Sequence, residues 1–150
     1  MMHRLTDDER AFAERHRVAH LATADATGAP HVIPICYALV DHRFYFVVDE
    51  KPKRTRTGLK RLRNIAVNPQ VALVIDDYDE DWTQLAYLLV HGHAAQVDDP
   101  GEFTAVLAVL RQRYAQYRSM MLEFGSHPMV RITATACHSW KANGPTQARM

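Results

Sequence analysis

Between Lys51 and Arg63 the chain crowds seven of its eighteen lysines and arginines, in the run Lys51-Pro-Lys53-Arg54-Thr55-Arg56-Thr-Gly-Leu-Lys60-Arg61-Leu-Arg63. No acid occurs from Lys51 to Ile75, and five follow closely at Asp76, Asp77, Asp79, Glu80 and Asp81. Ammonium, guanidinium and hydroxyl donors grouped in this way can converge on one anion, and charge-assisted bonds to phosphate are strong. The run begins where a strand is expected to end and passes into a helix, whose first turn carries unpaired N–H groups that suit a phosphate. Helical spacing puts Arg56, Lys60 and Arg63 on one face, with Lys53, Arg54 and the Thr55 hydroxyl at its mouth. A solvated cationic helix and a nucleic-acid surface are the competing readings. The position after a strand, the threonine among the cations and the lack of a second basic patch favour a bound phosphate.

Other residues able to do chemistry are fewer. His91-Gly-His93 puts two imidazoles on one side of a strand, a spacing that could begin a metal site, but Cys36 or His138 would have to supply a third ligand, and no metal is expected. His31, between Pro30 and Val32, either hydrogen-bonds a ring or substrate or faces outward on a hairpin. Cys36 has no cation beside it to lower its pKa, so packing is its expected role. The acids from Asp76 to Asp81 lack the glycine-centred loop and terminal glutamate of an EF-hand and read as a solvated loop. There is no Gly-x-Ser-x-Gly, Walker loop, Gly-x-Gly-x-x-Gly or Cys-x-x-Cys.

The elements that must position these groups follow from periodicity. Thr6-Asp-Asp-Glu9 is a capping box, opening a helix over about residues 7 to 16. Val18 to Thr23 and Pro30 to Val40 read as strands joined through the turn residues Asp25-Ala-Thr-Gly28, and Phe44 to Val48 as a third strand pairing back on the second. Three antiparallel strands in a row suggest a meander. Leu59, Leu62, Ile65 and Ala66 recur at helical spacing until Asn68-Pro69 stops them. Val71 to Asp76 and Leu85 to Val97 are strand-like, with Gly92 marking a bulge or a close backbone approach. Asp98-Asp99-Pro100 opens the longest helix, along which Phe103, Val106, Leu107, Leu110, Tyr114 and Tyr117 keep helical spacing. Tyr114, Tyr117 and Met120-Met121 read as core or interface filling, and Met129 to Cys137 is a last strand before a polar tail. This order favours a mainly β fold with peripheral helices, an antiparallel barrel, over a parallel doubly wound sheet.

Composition sets outer bounds. The 150 residues, 47% apolar and 23% charged, suit one folded domain spanning 1–150. A formal net charge of +1 gives no global pull toward nucleic acid or membranes. No apolar run is long enough to span a bilayer and the start is polar and charged, so a cytoplasmic protein is expected. Cys36 and Cys137 are expected to be free thiols.

Several separated motifs together resemble a known family. They are Arg17-Val-Ala-His-Leu-Ala-Thr-Ala-Asp25, Gly28-Ala-Pro-His-Val-Ile-Pro-Ile-Cys-Tyr37, Asp49-Glu-Lys-Pro-Lys-Arg54, Leu62-Arg-Asn-Ile-Ala-Val-Asn-Pro69 and Asp77-Tyr-Asp-Glu-Asp-Trp82. They are similar to the actinobacterial branch of the pyridoxamine 5'-phosphate oxidase-like proteins, a branch of probable deazaflavin (coenzyme F420)-dependent enzymes. The resemblance implies an antiparallel split β-barrel that forms a homodimer, with two cofactor sites across the subunit interface. It implies that the strand carrying His31, Val32, Ile33, Pro34 and Cys36 runs along the cofactor's ring system. Lys51, Lys53, Arg54 and Thr55, with Lys60 and Arg63, would meet the phosphate. Tyr78, Trp82 and Trp140 would complete the pocket from one subunit or the other. The implied cofactor is coenzyme F420, with FMN as the alternative, and Arg56, Lys60 and Arg61 could meet a polyglutamate tail. The implied activity is hydride transfer to a small-molecule acceptor, set against an FMN oxidase or reductase and against a carrier or sensor without turnover.

Overall fold

The capping box opens the first helix as its residues require. In a computed structural model the Glu9 amide donates to Thr6 Oγ1 at 3.1 Å and the Thr6 amide donates to Glu9 Oε1 at 2.9 Å, starting α1 (Asp7–Arg15). The structure describes residues 2–49 and 56–142, with the backbone alone for 56–59. Seven strands follow: β1 (Ala19–Ala24), β2 (Pro30–Ile35), β3 (Ala38–Val40), β4 (Arg43–Val47), β5 (Gln70–Asp77), β6 (Ala86–Gln96) and β7 (Met129–Lys141). Helix α2 (Arg56–Val67) lies between β4 and β5, and α3 (Pro100–Arg113) between β6 and β7.

All the observed pairings are antiparallel, in the order β2-β1-β5-β6-β7-β4-β3. This corrects the expected meander. The run from Pro30 to Val40 is not one strand but two, and they lie at opposite edges of the sheet. Only Cys36 and Tyr37 separate β2 from β3, so the two edges meet and the sheet must curl into a barrel with a seam at that crossing. The β3–β4 turn has positive φ at Asp41 (51°) and His42 (64°), the two-residue geometry whose twist matches a hairpin. His42 is held there by the Leu5 amide, 3.1 Å from Nδ1.

Alternation along the strands then divides the core. Inside the barrel Leu21, Phe44, Phe46, Leu73, Ile75, Leu88, Val90 and Ile132 pack with Phe12 of α1 and Tyr37 of the crossing. On the other side of β4 and β7, Tyr45, Val47 and Met129 pack against Phe103, Val106, Leu107 and Leu110 of α3. Strand β4 is therefore covered on both faces. Truncating a side chain such as Phe44 to alanine costs about 3–5 kcal/mol, the usual range for a buried aromatic.

Gly92 marks both features expected of it. The β6–β7 register shifts between His91 and Gly92, and a Cβ on Gly92 would sit 2.5 Å from the Thr133 carbonyl oxygen. Among the described residues no helix is long and apolar enough to cross a membrane.

Candidate functional site

Where the barrel seam meets α2, a cavity of about 330 Å³ opens between the end of β2, the Cys36 crossing and the end of β4. Ile33, Pro34, Ile35, Phe46 and Val47 give it an apolar wall, and Asp49, Arg61, Cys36 and Tyr117 give it polar groups. Arg61 is 9% exposed, with its guanidinium carbon 5.8 Å from the Phe46 ring centroid. The helix that carries it is fixed by Asn64, whose side-chain amide donates to Thr23 Oγ1 of β1 at 3.0 Å. The chain leaves the cavity wall at Asp49 and returns in the helix bearing Arg61. The basic run connects those two points, and Lys51, Lys53, Arg54 and Thr55 lie outside the described residues.

Two polar groups of this cavity, Cys36 and Tyr117, are held in their neutral forms. Burial, with the charge of Asp49 adding to it, pushes the Cys36 thiol up. Burial also pushes the Tyr117 hydroxyl well above the usual phenol range, and the neighbouring Cys36 and Asp49 act in the same direction. The two side chains share a hydrogen bond. Cys36 thus stays a thiol rather than a nucleophile, and Tyr117 keeps its proton as a hydrogen-bond donor.

The crossing itself is braced from α3. Arg113 Nε donates to the Tyr37 carbonyl and Nη1 to the Glu14 carbonyl, each at 3.0 Å, and Nη2 reaches the His16 carbonyl. The Tyr37 amide donates to the Tyr114 hydroxyl at 3.1 Å. These bonds hold a short non-sheet segment, and with it the wall formed by Cys36.

The remaining residues singled out in the sequence scatter. Ile33, Pro34 and Cys36 share the seam cavity, but His31 and Val32 do not line it. His31 is half-buried, with Nε2 enclosed and without a hydrogen-bond partner. Val32 points the other way and is 61% exposed. On α2, Lys60 is half-buried and Arg63 exposed. Among the described residues the cation lining the cavity is Arg61, which lies off the expected Arg56–Lys60–Arg63 face. Tyr78 and Trp82 stand on the outer face of the sheet and line a different, larger cavity of about 540 Å³ with His20, Val74, Leu85 and Leu89. Trp140, in β7 rather than in a tail, stacks on Tyr87 at 5.7 Å and lines a third cavity of about 140 Å³ against α1. Within one chain, therefore, Tyr78, Trp82 and Trp140 do not join the seam cavity. Asp49 and Tyr117 were not anticipated; the helical spacing expected to run on through Tyr114 and Tyr117 stops at Arg113, and Tyr117 lies in a separate short 3-10 turn, Ala115–Ser119.

Comparison with known proteins bears on the fold and the family. No curated protein matches the chain in sequence. Among solved structures, the conserved hypothetical protein Rv2991 from Mycobacterium tuberculosis is 22% identical, with a TM-score of 0.73 over 97% of this chain and 92% of that one. HutZ, the heme storage protein from Vibrio cholerae, is 18% identical, with a TM-score of 0.67 over 93% of this chain and 95% of that one. An F420 reductase is 26% identical, with a TM-score of 0.60 over 89% of this chain and 98% of that one. The family model for pyridoxamine 5'-phosphate oxidase matches residues 5–141, nearly all of the barrel described above, and the chain belongs to the pyridoxamine 5'-phosphate oxidase family.

Proposed function

We propose that the chain is a deazaflavin-dependent oxidoreductase that binds coenzyme F420 at the barrel seam and passes a hydride to a small organic acceptor in the cytoplasm. The observation that carries this reading is the buried guanidinium of Arg61 in the wall of an otherwise largely apolar cavity, between the two points that the basic run connects. A guanidinium set in an apolar wall can bind and orient the charged end of a ligand whose flat part packs on that wall. The residues fit such a ligand. Ile33, Pro34, Phe46 and Val47 offer an apolar wall to a ring system, and sites of about 300 to 1,000 Å³ are usual for ligands of this kind. Lys51, Lys53, Arg54 and Thr55, with Lys60 and Arg63, offer donors to a phosphate, and Arg56, Lys60 and Arg61 to an acidic tail. The kinship in fold with an F420 reductase supports the choice of cofactor.

When bound, a deazaflavin supplies the hydride chemistry itself. The chain's own residues orient and shield. Arg61, in the second turn of α2, would meet negative charge on the ligand, the β2 and β4 side chains would exclude water from the ring, and Tyr117 would present a retained hydroxyl proton within the cavity. His31 Nε2, enclosed without a partner, is a further donor or acceptor for a ligand beside β2. The reading includes a homodimer. Tyr78 and Trp82, each 66% exposed among apolar neighbours, would then reach the cofactor of a second subunit, as would Trp140.

Fluorescence-quenching titrations with coenzyme F420 and with FMN test the proposal. Tighter binding of F420, and its reoxidation by at least one acceptor in a panel of electron-poor alkenes, is the expected result. Tighter binding of FMN would replace the cofactor and leave the fold's redox role. Tight binding with no turnover of any acceptor would favour a carrier, the role that a heme storage protein of the same fold brings into view.

A further inference from the structure

Away from the seam, three side chains from distant parts of the sequence meet beside α1. They are His3 on the N-terminal arm, Glu9 in the first turn of α1 and Cys137 on β7. Among the described residues they form the one group of His, Cys and acidic side chains close enough to share an ion, their ligand atoms all within 4.8 Å of one another. The arm is already docked, since the His3 amide donates to the Ala134 carbonyl at 2.7 Å. The Glu9 carboxylate is oriented by the Thr6 amide, and His3 Nε2 lies 3.0 Å from Glu9 Oε1.

An imidazole, a carboxylate and a thiol are a borderline-soft set that suits zinc and its neighbours, whereas calcium and magnesium take oxygen ligands. Two ligands each about 2.0 to 2.1 Å from a tetrahedral zinc stand a little over 3 Å apart, close to the present His3–Glu9 separation. The thiol has to come to roughly 3.5 Å from each of them, a closure of at most about 1.3 Å from the present 4.8 Å limit, within reach of a side-chain rotation. One carboxylate and one thiolate neutralise a divalent ion, so the filled site would bring no net charge into half-buried surroundings. Glu9 also lines a small cavity with Asp8, Phe12 and Ser139.

We infer that His3, Glu9 and Cys137 form a binding site for a divalent ion of the zinc class, which clamps the N-terminal arm to the last strand. Binding breaks the His3–Glu9 hydrogen bond, forms one metal bond to nitrogen, one to oxygen and one to sulfur, and releases the thiol proton to solvent. No electron moves. The ion has to displace the thiol proton, so affinity rises with pH. The site is independent of the cofactor reading, since none of its residues lines the seam cavity.

Titration of the full chain with zinc and with cobalt, against a chromophoric chelator, tests it. The expected results are one equivalent bound, a thiolate-to-cobalt charge-transfer band, and a melting temperature that rises with zinc. Cys137→Ser should remove the band and the pH dependence and weaken binding by at least about 100-fold, more than the loss of an outer-shell partner. His3→Gln, on the arm and outside the core, should weaken it by roughly 10- to 100-fold even if the cysteine variant folds poorly. The double variant His91→Ala/His93→Ala should leave binding unchanged. Absence of stoichiometric binding, cobalt binding without a thiolate band, or affinity indifferent to His3→Gln would each overturn the assignment.

Discussion

The seam cavity and the larger cavity on the outer face differ in what their walls ask of an occupant. At the seam, an apolar wall carries a buried cation lying over Phe46, a protonated tyrosine and a carboxylate. On the outer face, Val74, Leu85, Leu89, Tyr78 and Trp82 give a wide, largely apolar surface with acids at its rim. A small ligand with a charged end suits the first. A protein surface suits the second, because exposed apolar patches rimmed by polar groups mark contacts between chains. The larger hollow is thus not the better candidate for chemistry; the polar groups aimed into the smaller one decide the matter.

The strongest way to break this comparison is to strip the phosphate donors. Lys53→Ala with Arg54→Ala should weaken cofactor binding by several kcal/mol, at about 1.5 to 3 kcal/mol for each charge-assisted bond, with no change in melting temperature. Unchanged affinity would move the phosphate elsewhere. Arg113→Ala removes donors to three backbone carbonyls around the crossing, and should lower unfolding stability by about 2 to 4 kcal/mol because those carbonyls lose partners. Chemical denaturation measures that loss, and cofactor affinity should fall with it while the outer face is untouched. Trp82→Ala should do the reverse, weakening self-association by about 2 kcal/mol, the scale of an interfacial aromatic anchor, as read by sedimentation. It should leave the melting temperature of the dilute chain unchanged.

The smallest effect is one of pH and should touch neither cavity. Burial acts to raise the Glu9 carboxyl, but hydrogen bonds from His3 and Thr6 and the charge of His3 outweigh it, so its pKa lies below the usual range. The stability this contributes is present above the carboxylate's unfolded pKa and is lost as pH falls through the lower folded value. Acid titration of stability should lose that increment in Glu9→Gln, with ligand affinity unchanged at neutral pH.

Local chemistry was the most legible part of the sequence. The Thr6–Glu9 box, the turn at Gly28 and the tight approach at Gly92 each follow from residue type and a neighbour or two, and each is found in place. What could not be read was long-range. From Pro30 to Val40 every residue except His31 is apolar or aromatic, and nothing in the run announces that it leaves one edge of a sheet and joins the other. On α2 the apolar spacing of Leu59, Leu62, Ile65 and Ala66 pointed to one stripe, yet Ala66 is exposed while Arg61 and Asn64 are buried. The helix is rotated because Asn64 finds Thr23 and Arg61 finds Phe46, partners that lie on distant strands. Hydrophobic periodicity carries no information about such polar anchors. The same rotation turns Arg61 inward, off the face that Arg56, Lys60 and Arg63 were expected to share.

Because β2 and β3 are successive in the chain but terminal in the sheet, the cylinder is closed there by covalent bonds through Cys36 and Tyr37 rather than by a ladder of amides. The two margins can therefore draw apart or together by small torsional changes at that joint without any strand pair being broken. A flat molecule lodged there would act as the missing rung, and its arrival should slow amide exchange along Ile33 to Leu39 before it alters exchange anywhere else in the barrel.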